Sequence, residues 1–497
     1  MAYRYGDRYQ IALFPQSIEE YVNKDDPVRA YDAFVEALDF RELGIILDEN
    51  KIGNSEYNPK AMIKLLLYGY SYGLRSSRQL ERAVHHNLSF IWLLEGLKPD
   101  HKTIANFRRN NRKALKEILR QCARMCIKLG LIEGNTLFVD STRIRANASI
   151  KNTYNLDKCQ RHLKKIDERI EVILLECDKI DQREENQASW VKLNKELQDK
   201  KALKCKIGNV LEELRLEKKL SINTTDRDST KINFPTCTHA GYSGHIVTDE
   251  KHGLITSADV VNENEDSNQF TNQINQANKV LGKNCTIACA DAGYSHAADL
   301  KQIDQQGIKV IVPTQRQALR RPPKEPNHFD KNSFLYNKDK DCYLCPEGYT
   351  LQYKCSVRHR GYKEYIMPGG KNNPCKNCNN FGICTKSQSG RKITRLLDEE
   401  VKEKLEALFE QPDSQAIYKL RKQRIEHPFG HIKRNLGMNA FLMRGLEGVR
   451  AEISLLAGCF NIRRMLTILG GVEPLIRQLR GQKDTIVSLL QPTEALI

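Results

Sequence analysis

The alternation of apolar and polar positions divides the chain into helical and strand-like regions. Apolar residues recur at helical spacing in PVRAYDAFVEALDF and PKAMIKLLLYGYSYGL, which predicts helices within residues 15–130, and helical spacing returns from about residue 396 onwards. Short apolar stretches between these regions predict strands, namely TLFVD, HAGYSGHIVTD, GLITSADVV, NCTIACADAGY and IKVIVPT. A helix-like stretch, SHAADLKQIDQQG, separates the last two. This order of elements indicates an α/β fold with a mixed sheet.

A second helical pattern interrupts the strands at residues 152–221. Its first half repeats apolar residues at the alternating spacings of a coiled-coil seam, namely Leu156, Cys159, Leu163, Ile166, Ile170, Ile173, Cys177 and Ile180. A second helix is predicted by Leu193, Leu197, Leu203, Ile207, Val210 and Leu214. We interpret the segment as an inserted antiparallel helical hairpin. A structural role is the first hypothesis, and dimerisation is the alternative.

Length, charge and hydropathy narrow the class of protein. A chain of 497 residues exceeds the size at which a single core stops growing, so we expect several structural units. The net charge of +17 and the pI near 9.1 favour a polyanionic partner, such as nucleic acid, over a role in solubility alone. No apolar run approaches the ~18 residues of a membrane helix, and the first residues, MAYRYGDRYQIALFP, do not form a secretion signal. We therefore predict a soluble, cytoplasmic protein without a membrane partner.

Basic residues accumulate in the helical amino-terminal region, residues 1–130. They concentrate in LRSSRQLERAVHHN and DHKTIANFRRNNRKALKEILR, and such clusters are typical of helices that lie against DNA. The basic residues are Arg75, Arg78, Arg82, Lys102, Arg108, Arg109 and Arg112. We predict a DNA-binding domain with Arg108 and Arg109 as contacts. The alternative for each residue is a solvated helix face.

Three acidic residues are candidates for a catalytic site. Asp140 ends the apolar stretch LFVD and Asp291 ends TIACAD, and the end of a strand is where an α/β sheet exposes reactive groups. Glu426 stands alone among the cations of RKQRIEHPFGHIKR. Three carboxylates brought together repel one another unless cations compensate, and oxygen ligands of this kind suit Mg²⁺ or Mn²⁺. The alternative for each aspartate is a turn residue.

Three segments, FVDSTRIRANAS, ADAGY and YKLRKQRIEHPFGHIKRNLG, together resemble the DDE transposases of bacterial insertion sequences. The resemblance is to the group with a helical amino-terminal domain and a cysteine-bearing insertion. It implies a ribonuclease H-like catalytic domain over residues 131–317 and 391–470, followed by a tail at 471–497. It also implies that Asp140, Asp291 and Glu426 bind two Mg²⁺ or Mn²⁺ ions.

The same resemblance implies DNA contacts around Glu426, namely Tyr418, Arg421 or Arg424, Lys433 and Arg434. Arg424 is the alternative to Arg421 because the spacing before Glu426 differs from that of the related proteins by one residue. Lys433 follows Glu426 by two helical turns, which places both on one helix face. Pro428 and Gly430 lie between them, and we expect a kink or a break there.

The 15 cysteines are typical of thiols and metal ligands, because a cytoplasmic protein rarely holds disulfides. Residues 318–390 contain the knuckles CYLC and CKNC, a pattern typical of a small structural Zn²⁺-binding insertion. Knuckle symmetry gives one ligand set, Cys342, Cys345, Cys375 and Cys378. The spacing of the related transposases gives another, Cys345, Cys375, Cys378 and Cys384. A reduced loop without metal is the alternative.

The function that the resemblance implies is DNA transposition. The protein would cleave double-stranded DNA at the terminal inverted repeats of its element and join the freed 3′-hydroxyls to target DNA. It would act on the nucleoid as a homodimer or a higher oligomer. Two alternatives are a nuclease of the same fold without strand transfer and a non-catalytic, domesticated DNA-binding relative.

Overall fold

The computed structural model describes residues 17–47, 56–181, 187–217, 219, 221–234, 237–319, 329–357 and 361–490. The chain forms two compact units. The first unit comprises Met1–Asp266, Gln273–Cys285 and Lys422–Ile497, and the second comprises Ser267–Asn272 and Thr286–Arg421. The amino-terminal stretch MAYRYGDRYQIALFP lies outside the described residues.

The described elements, in chain order, are as follows. The helices are α1 (Val28–Glu36), α2 (Pro59–Ser71), α3 (Ser77–His86), α4 (Leu88–Leu93), α5 (His101–Asn110), α6 (Arg112–Lys128), α7 (Leu156–Asp181), α8 (Gln187–Leu216), α9 (Phe270–Leu281), α10 (Ala297–Asp304), α11 (Gln315–Ala318), α12 (Glu399–Phe409), α13 (Pro412–Arg434), α14 (Leu446–Ile468) and α15 (Val472–Leu490). The strands are β1 (Thr136–Arg145), β2 (Thr153–Tyr154), β3 (Ile222–Asn223), β4 (Thr230–Asn233), β5 (Thr238–Asp249), β6 (Ile255–Val261), β7 (Ile287–Cys289), β8 (Lys309–Ile311), β9 (Leu335–Asn337), β10 (Cys342–Leu344), β11 (Thr350–Val357), β12 (Tyr362–Ile366) and β13 (Lys392–Leu396).

The amino-terminal region of the first unit is helical, as predicted. Asn58 caps α2 by accepting the Lys60 N–H, and Pro59 occupies the first turn, where its missing N–H costs nothing. The apolar faces of α1, α2 and α6 share one core with α14, which is buried along most of its length. Helix α14 is therefore a central element of this helical core.

The strands of the first unit form an antiparallel sheet around β5. This strand pairs with β1, β4 and β6. The register places His245 of β5 between Ser141 of β1 and Asp259 of β6. A polar row therefore crosses the sheet at these three positions.

The inserted segment of the first unit forms two packed helices, α7 and α8. Cys159 and Ile166 of α7 share a small core with Ile207 and Leu214 of α8. The predicted seam position Ile180 lies outside the residues whose side chains are described, and residues 182–186 lie outside the described chain. The insertion thus buries a core of its own.

The second unit contains a parallel strand pair and an antiparallel sheet. β7 and β8 run parallel and are joined by α10, which is the strand, helix and strand order predicted from the sequence. The antiparallel sheet has the order β13–β12–β11–β10–β9 and packs around Tyr343, Leu351 and Tyr365. The sequence pattern did not predict this sheet, whose strands are short and rich in polar residues.

No single helix in the described part of the chain is long and apolar enough to cross a membrane. The pair Leu446–Ile468 and Val472–Gly481, which is bent by 108°, meets the criteria of length and composition only when its two helices are taken together. In this protein α14 is a core helix of the first unit.

Candidate active site

Asp140 lies where β1 passes from the buried core to a more open surface. Phe138 and Val139, which precede it, are fully buried, whereas Asp140 is partly exposed. Its Oδ1 accepts the Ser141 N–H at 2.8 Å. Thr142 projects from the same face as Asp140, because side chains alternate along a strand. The two residues form a polar face on β1.

Lys433 of α13 contacts this polar face. Its ammonium group donates a hydrogen bond to Thr142 Oγ1, and the charge of Asp140 acts on it. Burial lowers the pKa of Lys433 below its ordinary value, and Asp140 opposes that shift. The sequence placed Lys433 on a DNA-facing helix; the structure places it beside a proposed catalytic carboxylate.

Glu426 lies on the same helix as Lys433. It is exposed, and it follows Ile425, which is fully buried. Seven helical residues rise by about 10 Å and turn by about two full turns, so Glu426 and Lys433 project from nearly the same face of α13. Because Lys433 contacts Thr142, this face of the helix is fixed to β1.

Of the kink or break predicted at Pro428 and Gly430, the break does not occur in α13. The helix runs from Pro412 to Arg434 with Pro428 inside it. Pro428 deprives the Arg424 carbonyl of its helical N–H partner, but the proline itself is buried. Gly253, in the turn between β5 and β6, packs against the Arg424 carbonyl. A Cβ added to this glycine would lie 3.3 Å from the carbonyl oxygen. The helix thus continues through a position where local propensity opposes it.

Asp291 follows β7 in the second unit, and two residues from another motif lie in its electrostatic neighbourhood. Burial raises the pKa of the Cys289 thiol and of the Tyr418 phenol; Asp291 adds to both shifts, and Arg421 opposes both. The Arg421 guanidinium lies 5.6 Å from the centre of the Tyr418 ring. The structure therefore brings Asp291 of the ADAGY motif together with Tyr418 and Arg421, which belong to the motif that contains Glu426.

The two remaining basic candidates of α13 have different surroundings. Arg424 packs against Gly253 in the turn between β5 and β6. A Cβ added to this glycine would lie 3.6 Å from the Cδ of Arg424. Burial lowers the pKa of His252 in the same turn, and the Arg424 charge contributes to that shift. Arg434 is exposed at the end of the helix. Arg421 rather than Arg424 therefore has the tyrosine and the aspartate as neighbours.

The two arginines predicted to contact DNA in the amino-terminal region differ in exposure. Arg108 is 8% exposed, and its guanidinium donates to the Tyr70 hydroxyl and to the Arg75 carbonyl, both at 2.8 Å. It anchors α5 to the helical core, which corrects its prediction as a surface contact. Arg109 is exposed. These two consecutive arginines of α5 thus differ in exposure, because they project from different faces of the helix.

Asp266 and His245 form a polar network that the sequence did not reveal. The Ser141 hydroxyl donates to Asp266 Oδ2 at 2.7 Å, and His245 Nε2 lies 3.6 Å from Asp266 Oδ1. Burial lowers the pKa of His245, and neighbouring carboxylates, Asp266 foremost, oppose that shift. The network contacts β1 through Ser141, whose side chain projects from the face of the strand opposite to that of Asp140. The register of β1 and β5 pairs Ser141 with His245, and Asp266 reaches both from the loop after β6, so no local motif marked Asp266.

Four cysteines of the second unit line one cavity of about 20 Å³, namely Cys345, Cys375, Cys378 and Cys384. Burial raises the pKa of the Cys384 thiol, and the other three cysteines add to that shift while Arg391 opposes it. Cys342 lies on β10 and is not among the residues that line the cavity. The grouping corresponds to the second of the two predicted sets. Within the described residues, however, no group of three or more His, Cys, Asp or Glu side chains has the spacing of a formed metal site.

Two family models match the chain. Residues 344–466 match a model described as a transposase DDE domain, and residues 16–110 match a model described as a transposase domain (DUF772). The first match includes Glu426 and Lys433, and the second includes the helical amino-terminal region from α1 to α5. A comparison with curated proteins found no match.

One solved structure is similar to the chain, the piggyBac transposase in a synaptic complex with hairpin DNA. It is 10% identical, its TM-score is 0.33, and the alignment covers 95% of this chain and 83% of that chain. The family matches, by contrast, confirm the resemblance drawn from the sequence motifs. Both matched models describe transposase domains, a combination typical of the DDE transposases of bacterial insertion sequences.

Proposed function

We propose that the chain cleaves double-stranded DNA at the terminal inverted repeats of its element and joins the freed 3′-hydroxyls to target DNA. The observation that carries this proposal is the position of Asp140 beside Lys433, on the helix that also bears Glu426. A carboxylate next to a cation suits a site that must bind a phosphodiester and act on it. A homodimer or a higher oligomer would hold the two ends of the element together.

Asp140, Asp291 and Glu426 would hold two Mg²⁺ or Mn²⁺ ions. The donor set fits these ions, because carboxylates supply hard oxygen ligands and each of the three side chains is at least partly exposed. When bound, the ions would activate the attacking oxygen and stabilise the leaving oxygen of an in-line displacement. A catalytic domain of ribonuclease H-like fold is consistent with the antiparallel strands β1, β5 and β6 and with the parallel pair β7 and β8.

The basic residues near the acids would position the DNA strand. Lys433 and Arg434, at the end of α13, would contact backbone phosphates, and Tyr418 and Arg421 would hold the strand next to Asp291. Holding the scissile phosphate in place makes the reaction effectively unimolecular, which is a large part of the catalysis of phosphoryl transfer. The Asp266 and His245 network would keep β1, and with it Asp140, in position.

Replacing Lys433 with Ala is expected to weaken the binding of element ends and to reduce the slope of log Kd against log salt by about one, because one phosphate contact is lost. Fluorescence anisotropy with a labelled duplex at several salt concentrations measures both quantities. Lys422→Ala is the matched control, since Lys422 is exposed on the same helix. An unchanged slope in Lys433→Ala would show that this lysine does not contact a phosphate.

The four cysteines around the cavity would hold a structural Zn²⁺ ion. Four thiolates suit tetrahedral zinc, and these four share one cavity, where the other three cysteines add to the raised pKa of Cys384. Replacing Cys384 with Ser is expected to lower the zinc content of the purified protein from about one ion per chain towards zero. Elemental analysis measures this, and Cys342→Ser is the control that should retain zinc. Zinc loss in Cys342→Ser together with zinc retention in Cys384→Ser would favour the set that includes Cys342.

The proposed function is tested with the DNA that flanks the gene. Short inverted repeats should border it, and duplexes carrying those repeats should be cut at the repeat ends when Mg²⁺ is present. The cut 3′ ends should then appear joined to a supercoiled target plasmid. Cleavage without joined product would support the nuclease alternative, and binding without cleavage would support the non-catalytic one.

A further inference from the structure

A basic groove lies in the amino-terminal helical region, and none of the residues that line it is among the proposed catalytic residues. It has a volume of about 400 Å³. Ser76, Ser77 and Arg78 line it at the beginning of α3, and Lys102 and Asn106 line it from α5. We call it the α3–α5 groove. A concave surface with polar and cationic walls suits an anionic ligand.

The outer face of α5 continues this groove. Lys102, Asn106 and Arg109 are spaced by four and three residues, so they share one face of the helix, and all three are exposed. The Arg109 guanidinium donates to Asn106 Oδ1 at 2.9 Å. The opposite face bears Ile104 and Arg108, which are buried. A continuous polar stripe therefore faces outwards from a helix that is anchored on its inner side.

Arg108 makes α5 a fixed platform rather than a loosely attached helix. Its two hydrogen bonds reach Tyr70 at the end of α2 and the Arg75 carbonyl just before α3. Two acids lie nearby: Glu81 is 2.9 Å from Nδ1 of His101, which also lines the groove, and Asp100 accepts the Thr103 N–H. The cations Arg78, Lys102 and Arg109 outnumber these two acids, so the groove and the stripe present a net positive surface.

We infer that the α3–α5 groove and the outer face of α5 read the base sequence of double-stranded DNA. The major groove of DNA admits one α-helix. With α5 lying in it, Asn106 and Arg109 are the residues suited to base edges, since Asn pairs with adenine and Arg with guanine in bidentate fashion. Arg78 and Lys102 contact flanking phosphates, which fix register without reading sequence. The inference rests on the proposed transposase function and specifies which surface recognises the DNA.

The test uses the full-length chain and a pool of duplexes with a randomised central segment. Duplexes retained by the chain are sequenced, and Kd is then measured for the selected duplex and for a scrambled duplex of equal composition. Asn106→Ala and Arg109→Ala are each expected to reduce the preference for the selected duplex by about tenfold or more. Arg78→Ala and Lys102→Ala should weaken binding to both duplexes equally and reduce the salt slope by about one each. Lys24→Ala, at an exposed lysine outside the groove, is the matched control.

Two outcomes would overturn the inference. One is an unchanged preference and an unchanged salt slope in all four groove variants, with helical content preserved by circular dichroism. The other is an effect of these variants on single-stranded RNA or on an acidic polypeptide, but not on duplex DNA. The binding measurement does not depend on cleavage. A chain that loses its preference through Asn106→Ala but cuts no DNA would support the inference and contradict only the proposed reaction.

Discussion

Replacing Asp140, Asp291 or Glu426 with the corresponding amide is expected to abolish DNA strand cleavage while leaving DNA affinity within about twofold. The amide keeps the shape of the side chain but removes the negative charge that a divalent cation requires. Loss of a metal-binding carboxylate should lower the cleavage rate by at least about a thousandfold, since the ions supply the electrostatic stabilisation on which this chemistry depends. A gel assay of labelled duplex in Mg²⁺ measures cleavage, and anisotropy measures binding.

The control for the amide variants is Asp413→Asn. Asp413 is exposed in the first turn of α13, the helix that carries Glu426. This variant should cleave at the rate of the unsubstituted chain. Any of the three amide variants that still cleaves at that rate removes its residue from the proposed site. Loss of binding together with cleavage would instead indicate a structural role.

Replacing Arg75 with Met is expected to cost about 3–5 kcal/mol of stability in the first unit, because it leaves a buried glutamate without its charge partner. Arg75 and Glu452 are 5% and 1% exposed, and Arg75 Nη2 lies 2.5 Å from Glu452 Oε1. Arg75 also donates to the carbonyls of Gly437 and Ala440, both at 2.7 Å, in the segment that follows α13. The buried Arg75 thus connects the amino-terminal helical region to the segment that follows α13, the helix that bears Glu426. Chemical denaturation followed by fluorescence and circular dichroism measures the change.

The double variant Arg75→Met with Glu452→Gln separates charge burial from packing. It removes both charges and should recover part of the stability lost in Arg75→Met. Arg477→Met serves as the control, because Arg477 and Glu473 pair on the surface of α15 with side chains 79% and 83% exposed. This control should change the free energy of unfolding by less than about 1 kcal/mol. A loss of equal size in Arg75→Met and Arg477→Met would contradict the account of the buried pair.

Patterns with a local physical cause were predicted from the sequence. Helical periodicity located the amino-terminal helices, and short apolar runs located β5, β6, β7 and β8. The acids stand out for a similar reason: Asp140 follows a buried apolar run, and Glu426 is surrounded by cations. Such features depend on a few consecutive residues, so a single sequence contains them.

Features that depend on tertiary packing were not predicted. Arg75 and Arg108 have the same local surroundings as exposed arginines, and only the folded core shows that both are buried. Helix α13 runs past Pro428, and Gly253, which is distant in the sequence, packs against the Arg424 carbonyl that the proline leaves without its helical partner. Asp266 meets Ser141 through the register of β1 and β5 and the loop after β6. The sequence left two cysteine sets open because the cavity is built from separate segments.

The proposed function requires that Asp140, Asp291 and Glu426 bind divalent cations in one shared site. The most direct measurement replaces Mg²⁺ with Fe²⁺ on the full-length chain bound to DNA and adds ascorbate and peroxide, so that radicals cut the polypeptide beside the bound ion. Mass spectrometry should locate cuts near residues 140, 291 and 426 together, and excess Mg²⁺ or the Asp140→Asn substitution should suppress all three. Cuts near only one of these residues, or cuts that persist in Asp140→Asn, would contradict the account.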